Sequence, residues 1–85
     1  MVEFQYVITD REGIHARPAG ELVKKANGFQ SSITIHKGEK SGDAKRIFAI
    51  MALAAKKDEE IRVTVEGPDE AQAAAQIEAF LKENL

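Results

Sequence analysis

Ile47-Phe48-Ala49-Ile50-Met51-Ala52-Leu53-Ala54-Ala55 is an uninterrupted apolar run, and its reading as helix or strand decides the fold. A buried strand is the rival assignment. Across Ala44 to Lys57, however, five alanines stand against two β-branched residues, and alanine is the best helix former while β-branching favours strands. The stretch is therefore expected to be helical from Ala44 to Lys57, with Asp43 placed to cap it. A short helix in a small domain cannot bury its whole circumference. With Ile50, Leu53 and Ala54 turned to the core, Ile47, Phe48 and Met51 fall on the other side and form an exposed apolar patch suited to docking.

Working outward, Ser32-Ile33-Thr34-Ile35-His36 alternates and is β-branched, which predicts a strand. Lys37-Gly38-Glu39 reads as a hairpin turn into a short strand over Lys40 to Gly42. Ile61-Arg62-Val63-Thr64-Val65 is a further alternating strand, ended by Gly67-Pro68. Asp69-Glu70-Ala71-Gln72 resembles a capping box that opens a last helix with the stripe Ala73, Ala74, Ile77, Phe80 and Leu81. At the N-terminus Val2, Phe4, Tyr6 and Ile8 alternate with polar residues, another half-buried strand. A helix from about Ala16 follows, its apolar positions Ala19, Leu22, Val23 and Ala26 at helical spacing. Asn27-Gly28 is suited to a left-handed helix end, and Lys24 and Lys25 complement the dipole. The order βαββαβα, with hairpin-type connections, predicts an α+β fold: a four-stranded antiparallel sheet with three helices on one face.

Gly13-Ile14-His15-Ala16-Arg17-Pro18-Ala19 opens the first helix. Pro18 suits a first turn, so His15 lies at the helix N-terminus, where free N–H groups and the positive end of the dipole favour an anion. A neutral imidazole is a competent nucleophile near neutral pH. The Arg17 guanidinium can hydrogen-bond phosphate oxygens, and Gly13 leaves room for backbone approach. A lone histidine is ordinarily a surface or capping side chain. Here Ala16, Arg17 and Pro18 supply an anion nest and a counter-charge beside it, and the segment points to phosphoryl handling on His15. No second base is read beside His15, and no metal set: His36 has no partner at ligand spacing.

Composition bounds the rest. The 85 residues are expected to form one domain, residues 1–85. At 44% hydrophobic and 31% charged the chain is globular. A net charge of −2 argues against a nucleic-acid binder. The absence of cysteine excludes disulfides and thiolate chemistry, and no apolar stretch is long enough to insert into a membrane. A cytoplasmic monomer without a cofactor is expected.

On His15-Ala16-Arg17-Pro18, the apolar helix and the element order, the chain resembles the histidine-containing phosphocarrier (HPr) family of the bacterial phosphoenolpyruvate:sugar phosphotransferase system. The resemblance spans essentially the whole chain. It implies an open-faced β-sandwich and a carrier rather than an enzyme. By the same resemblance His15 takes a phosphoryl group from phosphorylated enzyme I on its δ nitrogen and passes it to enzyme IIA domains, steadied by Arg17. Ile47, Phe48 and Met51 match the family's docking positions, and Lys24 a basic rim position. The chain departs from the family at two places. Arg46 stands where some members carry a regulatory serine, and Ala49 where a glycine or a basic residue is common. Arg46 is expected to strengthen attraction to an acidic partner. Other readings are a carrier of a nitrogen or dihydroxyacetone-kinase branch, and a docking regulator without phosphoryl chemistry.

Overall fold

The computed structural model describes all residues, Met1 to Leu85. The elements are β1 (Val2–Val7), α1 (Ala16–Ala26), β2 (Ser32–Lys37), β3 (Lys40–Asp43), α2 (Ile47–Ala52), β4 (Glu60–Glu66) and α3 (Glu70–Asn84). The four strands form one sheet in the order β1-β4-β2-β3, every neighbouring pair antiparallel. This is the predicted architecture.

Register explains why one face is covered. Val2, Val65 and Ile33 lie in one row, and Phe4, Val63, Ile35 and Gly42 in the next. Because strand side chains alternate, these rows share a face. Ile33, Ile35, Ile61, Val63 and Val65 are fully buried there beneath Leu22, Ile50, Ile77 and Leu81 of the helices. The other face carries Gln5, Arg62, His36 and Ser41 in one row. It is polar, with an Arg62–Glu3 ion pair at 3.2 Å and a His36 Nε2 to Thr64 Oγ1 contact at 3.1 Å.

Several local expectations are corrected. The central helix is Ile47–Ala52, not Ala44 to Lys57. At its start the Asp43 carboxylate accepts the Lys45 N–H (2.9 Å) and its carbonyl accepts the Arg46 N–H (3.0 Å). Asp43 thus ends β3 and closes a turn, and Arg46 is the N-cap residue. At the far end, bonds from Leu53 N to Ile50 O and Ala54 N to Met51 O tighten the last turn, and Ala54 then turns left-handed at φ 51°. Leu53 and Ala55 are buried while Ala54 is exposed. Placing Leu53 and Ala55 in the core outweighs the helix propensity of the alanines, typically a few tenths of a kcal/mol per residue. Lys37 Nζ satisfies the carbonyls of Leu53 (3.1 Å) and Ala54 (3.0 Å).

Asn27 is right-handed (φ −69°), not left-handed. Its side-chain amide instead bridges Val23 O (2.9 Å) and Lys45 O (3.2 Å), joining the end of α1 to the approach of α2. Asp69 is the N-cap of α3 but makes no side-chain cap. Its carboxylate accepts the N–H groups of Gln30 (2.9 Å) and Ser31 (2.9 Å) and the Ser31 hydroxyl. Neither half of the expected box forms; Glu70 Oε1 instead accepts the Gly67 N–H at 3.2 Å.

Candidate functional site

The site begins with a loop that cannot close without glycine. Gly13 has φ +68°, and a Cβ there would lie 2.2 Å from the Ala55 carbonyl oxygen. That carbonyl accepts the Ile14 N–H (3.0 Å), while the Gly13 N–H donates to Asp10 O (3.0 Å). Ile14 is buried. The loop is thereby fastened to the α2–β4 connection, and the next residue, His15, emerges as the N-cap of α1. Its extended backbone (φ −107°, ψ −179°) suits an N-cap. Its carbonyl accepts the Ala19 N–H (2.9 Å), and its side chain makes no cap. The imidazole is left to other work.

The side chain is 31% exposed. Nε2 lies 3.5 Å from Glu12 Oε2 and 3.9 Å from Asp10 Oδ1; no protein hydrogen bond occupies Nδ1. No acid lies in the first turn of α1, so the free amides at that end keep their anion-favouring field. Ala16 and Arg17 are exposed and Pro18 is buried, holding the turn. Arg17 joins none of the molecule's ion pairs. The structure therefore brings together a half-exposed imidazole, a helix N-terminus and a free guanidinium, a set that can hold a phosphoryl group.

Sequence reasoning missed Asp10 and Glu12. The expectation that no base lies beside His15 is corrected: the ligand atoms of Asp10, Glu12 and His15 all lie within 4.8 Å of one another. Acids three and five positions before a histidine in a glycine turn are the available signal. Taken along the chain alone, they pass for turn formers.

The predicted docking residues divide. Phe48 is 85% exposed and Met51 39%; leaving a phenylalanine in water forgoes roughly 2 kcal/mol of burial. Arg46, next in the chain to α2, and Lys24 of α1 are exposed as well. Ile47, expected on the open side, is instead half-buried against the core, with its Cδ1 toward Gly20 of α1. The reason is that α1 packs on α2, so the helix face next to α1 is covered. A shallow depression lined by Lys45, Arg46, Ile47, Phe48 and Ala49 marks the exposed part.

With this geometry, residues 2–83 match the model of the PTS HPr component phosphorylation site. The chain belongs to the HPr family. It is 47% identical to the phosphocarrier protein HPr of Mycoplasma capricolum over 73 residues, covering 86% of this chain and 82% of that one. It superposes on the histidine-containing phosphocarrier protein of Mycoplasma with a TM-score of 0.94 at 41% identity, covering 96% and 93% of the two chains. An HPr dimer from Thermoanaerobacter tengcongensis matches with a TM-score of 0.78 at 32% identity, covering 98% and 95%. Members of the HPr family are phosphocarriers of the phosphotransferase system, and this chain carries phosphate in that system. No helix is long and apolar enough to cross a membrane.

Proposed function

We propose that His15 is the phosphoryl acceptor, taking the group on Nδ1 from phosphorylated enzyme I and passing it to enzyme IIA domains for sugar uptake. The observation that carries this is the placement of His15 as the N-cap of α1 with its side chain uncapped. A phosphoryl group there meets the first-turn amides around Ala16, while Arg17 supplies the guanidinium. Pro18 gives up no hydrogen bond at that position and keeps the turn rigid. Phe48 and Met51, rimmed by Lys24 and Arg46 and backed by Ile47, form the docking surface. Arg46 carries no hydroxyl, so a serine kinase has no acceptor at that position. The protein works as a monomer in the cytoplasm and requires no cofactor of its own.

Incubation with phosphoenolpyruvate, Mg²⁺ and enzyme I is expected to add one acid-labile, base-stable phosphoryl group to the intact mass. The His15→Ala variant should fold and take none. A His15→Ala protein that still gained acid-labile phosphate would sink the assignment. No labelling of the wild type, with enzyme I active on another carrier, would favour a dedicated branch or a docking regulator.

A further inference from the structure

A phosphorylated His15 carries a dianionic group, yet the ring's only ion-pair partners are the acids Glu12 and Asp10. Both lie against Nε2, the nitrogen that the carrier chemistry leaves unused. We propose that Glu12 and Asp10 are positioning residues that keep a proton on Nε2 of His15 throughout the phosphoryl cycle. The inference rests on the carrier reading above.

A neutral imidazole has one N–H, and its location follows from what the nitrogens face. Two carboxylates beside Nε2 favour the proton there, which leaves the lone pair on Nδ1. That lone pair attacks the donor's phosphorus. The bond from phosphorus to the donor atom breaks, its electron pair stays with the donor, and the Nδ1–P bond forms. The ring keeps its Nε2 proton and becomes a phosphoimidazolium whose positive charge faces Glu12 and Asp10. On discharge the acceptor attacks phosphorus and the Nδ1–P pair returns to Nδ1. The ring then leaves as neutral imidazole. Without the Nε2 proton it would have to leave as imidazolate, a far poorer leaving group.

The acids are held in place by the backbone. Asp10 Oδ1 accepts the Glu12 N–H (2.8 Å), and the Asp10 N–H donates to Leu85 O (2.9 Å). Other charges on the elements around the ring are Arg11 in the same loop, Arg17 in the first turn of α1, and Lys56, Lys57, Asp58 and Glu59 on the α2–β4 connection, where Glu59 is paired with Lys37 at 3.1 Å. None of them is ion-paired to an acid of the cluster, while Leu85, just past the end of α3, turns its backbone oxygen to the Asp10 N–H.

The test follows Nε2 of ¹⁵N-labelled phospho-His15 against pH in the wild type, in Glu12→Gln and in Asp10→Asn/Glu12→Gln, each charged with phosphoenolpyruvate, Mg²⁺ and enzyme I. The Asp10→Asn change keeps a side-chain oxygen to accept the N–H at position 12, so the turn is preserved. In the double variant Nε2 should lose its proton about one pH unit lower, and return of the phosphoryl group to enzyme I at pH 8 should slow about ten-fold. Superimposable titrations in proteins that all carry phosphate would overturn the positioning role and leave the carrier reading intact. A wild type that takes no phosphate would overturn both. Should the double variant fail to fold, Glu12→Gln decides, because the Glu12 side chain is exposed and makes no hydrogen bond.

Discussion

Ala54 and Asp58 both hold left-handed backbone, φ 51° and 72°, one on each side of the stretch whose Ala55 carbonyl fastens the His15 loop. Aspartate visits this region more easily than alanine, because its short polar side chain can hydrogen-bond locally. Ala54 pays the steric penalty of its Cβ, about 1–2 kcal/mol, with little packing in return, since it is exposed. Glycine would remove that penalty and add an unfolded-state entropy term of roughly 0.5–1 kcal/mol. Ala54→Gly should therefore stabilise the protein by about 0.5–1 kcal/mol, read as a rise in the urea midpoint at unchanged slope. At this scale the candidate site of His15, Arg17 and Pro18 was legible as a segment, because the three sit within four consecutive residues. The two acids facing Nε2 were not, because turn geometry decides where their side chains point.

The elements were legible in kind and less so in extent. α2 was recognised from its alanines, but its length follows from contacts that no periodicity reports: Asp43 closing a turn before it, and Lys37 binding the carbonyls after it. Met51 stands on the exposed face of that short helix. Met51→Glu should weaken enzyme I binding about ten-fold or more, measured by calorimetry, while His15 keeps its reactivity toward a small phosphoryl donor. Unchanged affinity would put the docking surface elsewhere.

The start of α3 makes a second element-scale prediction. Hydrogen bonds from the Ser31 hydroxyl, then from the Gln30 and Ser31 backbone, hold the Asp69 carboxyl below its ordinary 3.8. A depressed folded value means that the ionised form is favoured by folding. The contribution is complete above the unfolded value and is lost as pH falls through the folded one. The melting temperature of the wild type should fall below about pH 3.8. Asp69→Asn should melt lower than wild type at pH 7 and lose less on acidification, as followed by circular dichroism. Gly67 makes this junction specific: at φ +152° it runs so close to Ser31 that a Cβ would lie 2.6 Å from its Oγ.

For the whole molecule, the covered face holds the buried branched residues and the open face is polar, so the sheet offers no second apolar surface for self-association. Apolar exposure concentrates at Phe48 and Met51, with Met1 and Val7 apart from them. Light scattering after size exclusion is expected to give the single-chain mass of 9.3 kDa; a stable mass twice that would show that copies of the chain pair.

The amino-acid sequence by itself determined the number, kind and order of the elements, the antiparallel sheet and the His15 segment. Those depend on period-2 and period-3.6 patterning and on neighbours close along the chain. Only the tertiary structure decided where α2 stops, that Ile47 is covered by α1, that Asp69 serves the α1–β2 loop instead of its own helix, and that two carboxylates turn to Nε2. Each of these is a choice of partner for a polar or apolar group, and such partners are set by which segments the packed core brings side by side.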